Sequence, residues 1–102
     1  MLDRPLVFVD LETTGATAHF DRITEIGVVE VDRGNYAGEW SSLVNPQIHI
    51  PPNIQSLTGI SDAMVADAPT FEELAPELIR RLQGKVLVAH NARFDYSSPV
   101  GG

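Results

Sequence analysis

The chain has 102 residues, of which 43% are hydrophobic and 21% are charged, proportions that are ordinary for one globular domain. It contains no cysteine, which excludes disulfide bonds and thiolate zinc sites. No apolar run reaches the roughly 20 residues that a membrane-spanning helix needs, and the N-terminus lacks the cleavage site of a signal peptide. We therefore expect a cytoplasmic protein without a membrane partner.

The net charge is −7, from 14 acidic and 7 basic residues. This balance argues against binding of nucleic acid through a broad basic surface, because such surfaces depend on Lys and Arg. It does not exclude an enzyme that binds phosphates through divalent cations, since bound cations reverse the local sign of the charge. Composition alone favours an ordinary acidic domain and leaves the function open.

The N-terminal half predicts three strands. The apolar run over residues 5–11 predicts a largely buried strand, which residues 13–15 (Thr-Thr-Gly) interrupt. Residues 23–31 alternate well enough for a second strand. The Arg-Gly-Asn turn at residues 33–35 then predicts a hairpin with a third, antiparallel strand over residues 36–44.

The C-terminal half predicts loops and helices. Residues 45–60 hold Asn-Pro, Pro-Pro and Thr-Gly pairs, which are typical of loops. Ser61 is expected to cap a short helix through Met64. Thr70 and Glu73 have the spacing of a capping box, which predicts a second helix. The apolar residues of this helix are Leu74, Leu78, Ile79 and Leu82, and Gly84 can end it.

Pro76 lies inside the second predicted helix, so we expect a kink or a late start there. Residues 85–89 predict a fourth strand, and residues 90–95 lead toward another helix. This order predicts an α/β fold with a mixed sheet: a three-stranded antiparallel start, then a helix crossover to a parallel strand, flanked by helices.

The tail at residues 98–102 contains a proline and two glycines and cannot continue a helix. We expect it to mark a truncation, a frameshift or an artificial end. Residues 1–97 are accordingly interpreted as the N-terminal part of a domain, and residues 98–102 as a tail outside it.

Acidic side chains follow the first predicted strand. Asp10 and Glu12 are two residues apart, so they project from the same face of a sheet. An isolated pair of this kind is more often solvent-exposed, but Mg²⁺ also binds one or two carboxylates together with phosphate oxygens. Asp95 favours the metal interpretation, because it follows a second apolar run, and neighbouring strands that end in acids are typical of two-metal phosphoryl-transfer sites.

Two motifs resemble those of the DEDD, or DnaQ-like, exonuclease superfamily, which includes RNase T and the epsilon subunit of DNA polymerase III. FVDLETTG at residues 8–15 resembles the first motif, and HNARFD at residues 90–95 resembles the second. Residues 22–31 (RITEIGVVEV) and residues 45–69, which contain SLTGI, match the layout between them. The resemblance covers residues 5–97 and implies a truncated RNase H-like fold.

The resemblance implies a 3′→5′ exonuclease that hydrolyses phosphodiester bonds from the 3′ end of DNA with two Mg²⁺ or Mn²⁺ ions. Asp10, Glu12 and Asp95 would hold these ions. The residues expected along the terminal nucleotide are Thr13, Thr14, Gly15, Leu57, Thr58, Asn91 and Phe94. Core packing is an equal alternative for Leu57 and Phe94, and Asn91 is more readily explained by the turn before Asp95.

The histidines and Glu25 are given other roles. His90 is expected to cap a strand end rather than to act as a base, and His19 and His49 to face solvent. Glu25 matches a family position, and we expect it to support the site rather than to bind a metal.

The resemblance also implies a third motif downstream, which supplies a fourth carboxylate and a His or Tyr beside it. The 102 residues contain neither at a suitable place, so we expect them to be weakly active or inactive alone. Two alternatives stay open: an exoribonuclease of the same superfamily, and a non-catalytic module tethered to a polymerase, a helicase or a second nuclease. A dinucleotide-binding fold is excluded, because no G-x-G-x-x-G follows the first strand.

Overall fold

The computed structural model describes residues 4–15 and 22–90. Within them, strands form one sheet in the order β3-β2-β1-β4, and the helices lie between β3 and β4 along the chain. The strands are β1 (Leu6–Thr13), β2 (Ile23–Asp32), β3 (Asn35–Leu43) and β4 (Val86–His90). The helices are α1 (Pro52–Thr58), α2 (Asp62–Val65) and α3 (Phe71–Leu82), and none of these is long and apolar enough to cross a membrane.

The hairpin between β2 and β3 forms where the sequence predicts it. Arg33 and Gly34 have φ values of 53° and 81°, so both central residues of the turn are left-handed. A turn of this kind matches the twist of the flanking strands and favours glycine at its second position. β1 and β3 both pair antiparallel with β2, which confirms the antiparallel start of the sheet.

The fourth strand completes the predicted mixed sheet. β4 pairs parallel with β1, with Leu6 opposite Val86 and Asp10 opposite His90. The Val86 N–H also donates to the Pro5 carbonyl at 2.9 Å, which extends the pairing by one residue. Because β2 and β4 flank β1 on its two edges, β1 is the central strand that positions Asp10 and Glu12.

One face of the sheet packs against α3. The core there contains Val7, Val9, Ile26, Val28 and Val44, all buried, and α3 contributes Leu74, Leu78 and Leu82. The predicted capping box is present, with the Thr70 side chain accepting from the Glu73 N–H and the Glu73 side chain accepting from the Thr70 N–H. The prediction of a late start at Pro76 is wrong, since the cap fixes the first residue at Phe71 and Pro76 removes only one helical N–H donor.

The prediction of a loop throughout residues 45–60 is also wrong, because α1 forms within it. Pro52 is the first helical residue, where the missing N–H of proline has no helical acceptor to lose. Gly59 ends the helix with φ 76°, and its N–H donates to the Gln55 carbonyl at 2.8 Å. α2, by contrast, begins after Ser61 as predicted. The two helices share a second core, the Ile54 cluster, made of Ile50, Ile54, Ile60 and Val65.

Charged side chains form ion pairs between α3 and β2. Arg81 of α3 pairs with Glu77 at 2.7 Å and with Glu30 of β2 at 3.6 Å, and Glu30 also pairs with Lys85. The Arg81 guanidinium lies over the Trp40 ring, 5.0 Å from its centre. These five residues, the Arg81 network, link α3 to β2 and β3 at the solvent boundary of the first core.

Candidate active site

Asp10 and Glu12 lie on the sheet face opposite to α3. They alternate along β1 with Val9, which is buried in the first core, so the two carboxylates share the other face. Asp10 is exposed and Glu12 is half-buried. The pairing with β2 stays regular through Glu12 and shifts only between Glu12 and Thr13, so the shared face is preserved up to the end of the pair.

Gly27 of β2 is directly opposite Asp10. Residues directly opposite each other on paired strands point to the same face, so the missing side chain leaves space beside the Asp10 carboxylate. A shallow cavity of about 390 Å³ lies on this face, with Phe8, Asp10, Gly27 and Val29 among its walls. Sequence reasoning did not select Gly27, although a glycine inside a predicted strand is a signal of a bulge or a close approach.

Glu25 of β2 is directly opposite Glu12, and Leu43 of β3 is directly opposite Glu25. Like charges in this relation destabilise a sheet, and a cation bound beside them relieves the repulsion. Among the described residues, the Glu25 carboxylate makes no hydrogen bond and no ion pair. Glu25 thus lies beside a predicted ligand, and a supporting role for it stays a prediction.

Thr13 and Thr14 hold the end of β1 and are both buried, with 7% and 3% exposure. The Thr13 hydroxyl donates to the Gly15 carbonyl at 3.0 Å. The Thr14 N–H donates to the Arg22 carbonyl at 2.8 Å, and the Thr14 hydroxyl accepts from the Arg22 N–H at 3.0 Å. The Thr14 amide is therefore engaged within the protein, and a contact of residues 13–15 with a nucleotide stays a prediction.

Leu57 and Thr58 lie at the C-terminal end of α1. Leu57 is 59% exposed, so it does not pack in the core that the described residues form. The Thr58 hydroxyl is fixed, since it donates to the Ile54 carbonyl at 2.9 Å and accepts from the Ile60 N–H at 3.1 Å. Leu43 packs against the Ile54 cluster and shares a face with Glu25 and Glu12, so α1 is anchored on the carboxylate face of the sheet.

The remaining predicted residues divide into two groups. Asn91, Phe94, Asp95 and His19 lie outside the described residues, as does the tail at residues 98–102. His49 is exposed, as predicted, and its Nδ1 contacts the Asp62 carboxylate. That contact was not predicted, because the two residues are separated by most of a loop and a helix.

Comparison with known proteins identifies the family. Residues 7–98 match the sequence model of the RNase T family, which is described as "Exonuclease". The chain belongs to the RNase T family of exonucleases. The match covers both motifs on which the predicted resemblance depends, and it confirms that resemblance.

Two curated relatives each contain a region that is similar to this RNase T domain. The "3′-5′ exonuclease DinG" of Staphylococcus haemolyticus is 44% identical over 87 residues, which are 85% of this chain and 10% of that protein. The "DNA polymerase III subunit epsilon" of Treponema pallidum is 44% identical over 86 residues, which are 84% of this chain and 40% of that protein. The chain therefore spans less than half the length of either relative.

A solved structure of Exonuclease X in complex with 5′ overhanging duplex DNA has the same fold. It superposes with a TM-score of 0.68 at 37% sequence identity, over 88% of this chain and 51% of that chain. The mixed sheet with flanking helices is thus the fold of RNase T-type exonucleases, as the sequence predicts.

The residues of the site suit a hard divalent cation. Asp10 and Glu12 offer carboxylate oxygens, and Mg²⁺ takes one or two protein carboxylates and completes its shell with water and phosphate oxygens. Within residues 4–15 and 22–90, no three His, Asp or Glu side chains come together as a metal-binding group. The described part of the RNase T domain thus places a pair of carboxylates on an open sheet face, with room beside them at Gly27.

Proposed function

We propose that this chain carries the first part of the active site of a 3′→5′ exonuclease that removes nucleotides from the 3′ end of DNA. The observation that carries the proposal is the placement of Asp10 and Glu12 on one open face of the central strand, with Gly27 opposite Asp10. Membership of the exonuclease family and the relative named as a 3′-5′ exonuclease support the same assignment.

In this proposal Asp10 and Glu12 hold Mg²⁺ or Mn²⁺, and Asp95 adds a third carboxylate. When bound, such ions activate a water molecule and stabilise the negative charge that develops on the phosphate and the leaving 3′ oxygen. The protein's own contribution is to keep both carboxylates on one face and to leave room beside them. Glu25 adds a further negative charge next to Glu12, which favours a cation at this position.

The terminal nucleotide is proposed to lie between the carboxylates and α1. Leu57 offers an exposed apolar side chain that can contact a base, and Thr58 is rigidly held beside it. The other proposed contacts are Thr13, Thr14, Gly15, Asn91 and Phe94.

DNA is the proposed substrate, because the Exonuclease X structure is a DNA complex and the epsilon relative is a DNA polymerase subunit. The same relative supports a polymerase as the proposed partner. Since the two-metal reaction does not depend on the 2′-hydroxyl, RNA is the competing substrate. Matched deoxyribose and ribose oligonucleotides, compared by kcat/KM, separate the two: a preference for ribose would contradict the DNA assignment.

The decisive experiment compares Asp10→Asn with Asp32→Asn. Both changes remove one exposed carboxylate from a strand, but Asp32 lies at the far end of β2, next to the hairpin turn. Mn²⁺ affinity is measured by titration calorimetry, and shortening of a 5′-labelled single-stranded DNA is followed with Mn²⁺. We expect Asp10→Asn to weaken Mn²⁺ binding or activity by at least about a hundredfold, because changes merely next to a ligand already cost about 10–100-fold. Equal Mn²⁺ affinities for the two variants would falsify the proposal.

A further inference from the structure

The Asp62 side chain connects α1 to the segment before it and to the helix after it. One of its carboxylate oxygens accepts from the Ile50 N–H at 2.9 Å. The other contacts His49 Nδ1 and accepts from the Gln55 side-chain amide at 3.4 Å. Gln55 belongs to α1, whereas Asp62 is the first residue of α2 and Ile50 precedes both helices. One side chain therefore fixes the entrance of α1, its middle and the start of the next helix.

α1 depends on such contacts for its orientation. It has seven residues, fewer than the roughly 12–15 that an isolated helix needs to form in water. Its N-cap, Pro51, makes no side-chain capping hydrogen bond, and Ile54 is its only buried residue. The Gln55 side chain adds a second anchor, since it also donates to the Ile50 carbonyl at 2.8 Å.

The end of α1 is exposed rather than packed in the core. Leu57 is 59% exposed, and the Ile54 cluster anchors the helix on the sheet face that carries Glu12. A rotation of α1 about its single buried residue would move Leu57 and Thr58 relative to the carboxylates. The hydrogen bonds of Asp62 and Gln55 oppose this rotation, because they lie on a different residue of the helix from Ile54.

We infer that Asp62 is a positioning residue: through Ile50 and Gln55 it sets the orientation in which α1 presents Leu57 and Thr58 to the terminal nucleotide. The inference rests on the proposed exonuclease function. It assigns Asp62 no contact with substrate or metal. Replacement of Asp62 should therefore weaken substrate binding and leave the rate of the reaction at the carboxylates unchanged.

The test uses Asp62→Ala, with Asp67→Ala as the matched control. Asp67 is an exposed acid just past the end of α2, and it makes no hydrogen bond or ion pair among the described residues. In Asp62→Ala we expect KM for a 5′-labelled single-stranded DNA to rise about tenfold, with kcat within a factor of about two, because a loss of contacts that bind substrate and transition state equally raises KM without changing kcat. Asp67→Ala should match the wild type in both constants.

Amide hydrogen exchange tests the same inference without substrate. Asp62→Ala should speed exchange in α1 about tenfold, the equivalent of one lost hydrogen bond to a charged group, and leave α3 unchanged. Asp62→Asn keeps one oxygen to accept from Ile50 and should restore part of both effects. Gln55→Ala, which removes only the α1 side of the connection, should reproduce the rise in KM even if Asp62→Ala does not fold.

The outcomes separate this inference from the proposed function. Unchanged KM in both Asp62→Ala and Gln55→Ala, in a protein that degrades DNA, overturns the positioning role and leaves the exonuclease intact. A fall in kcat in both variants, with KM unchanged, also overturns the positioning role. A wild-type protein that binds neither Mn²⁺ nor DNA overturns the proposed function and this inference with it.

Discussion

The two faces of the sheet differ in what covers them. On one face α3 seals the first core, and Val28 is only 1% exposed. On the other face, within the described residues, the Ile54 cluster packs against Leu43 at the end of β3, and Phe8 and Val29 remain 42% and 38% exposed beside Asp10. The buried core and the proposed metal-binding carboxylates thus lie on opposite faces of the same strands. Successive residues of β1 and β2 point alternately to the core and to the open face.

The largest expected effect separates the two faces at neighbouring positions of β2. Val28→Ala should lower the free energy of unfolding by about 2–3 kcal/mol, because it removes buried methyl groups and leaves a cavity. Val29→Ala changes the same residue type on the open face and should lower it by about 1 kcal/mol or less. Urea denaturation measures both. Equal losses would mean that the open face is as well packed as the face under α3.

The second prediction concerns the space beside Asp10. A Cβ atom at Gly27 would lie 3.9 Å from the Asp10 carbonyl oxygen, which is an ordinary contact, so Gly27→Ala should be tolerated. Gly27→Leu should place a bulky side chain beside the carboxylate and weaken Mn²⁺ binding about tenfold, as changes around a metal ligand commonly do.

Ser41→Leu is the control for this effect, since Ser41 is directly opposite Gly27 on the next strand and shares its face. It adds the same side chain one strand farther from Asp10. Titration calorimetry with Mn²⁺ compares the three variants. Similar losses for Gly27→Leu and Ser41→Leu would show that the open face as a whole, rather than the space beside Asp10, determines metal binding.

The third prediction tests the closed face at its rim. Glu30→Gln removes the carboxylate that Lys85 and Arg81 share, and should cost about 1 kcal/mol of stability, the upper range for partly exposed ion pairs. The loss should shrink in high salt, because salt screens such pairs. Glu39→Gln, an exposed glutamate on β3, is the matched control. A loss that salt does not alter would indicate packing rather than charge as its origin.

The smallest expected effect is a pH dependence of stability that comes from Asp62. The Ile50 N–H lowers the pKa of the Asp62 carboxyl, partial burial opposes this, and His49 lowers the pKa further. Because the folded pKa is below the unfolded one, Asp62 stabilises the fold above the unfolded value of about 3.9. That contribution is lost as the pH falls through the lower, folded pKa. Urea midpoints between pH 2 and pH 6 should therefore fall more in acid for the wild type than for Asp62→Asn, and parallel curves would contradict this.

Local patterns predicted most of the fold. The hairpin turn at Arg33 and Gly34 and the capping box of Thr70 and Glu73 both follow from short-range chemistry. α1 was missed because Pro51-Pro52 is typical of loops. Its signature was nevertheless present, with proline at the first helical position and glycine just past the end.

The site was predictable in part. Asp10 and Glu12 could be placed on one face from their spacing alone. Their neighbours could not, because the partners of a strand depend on register, and one residue of slippage would exchange Gly27 for a bulkier side chain. The contacts of Asp62 were not predicted for a similar reason, because His49 and Ile50 lie near it only in the folded chain.

The parallel pairing of β4 has a consequence for synthesis on the ribosome. Each β1–β4 pair joins residues 80 positions apart, as Leu6 and Val86 are, whereas the β2–β3 hairpin closes over a two-residue turn. Closing the longer loop costs more chain entropy, and β4 leaves the exit tunnel after the other three described strands. A nascent chain therefore displays Asp10 long before β1 has both neighbours. The arrangement proposed to cut nucleic acid cannot form until β4 has followed, whereas the β2–β3 hairpin needs only the residues on either side of its turn.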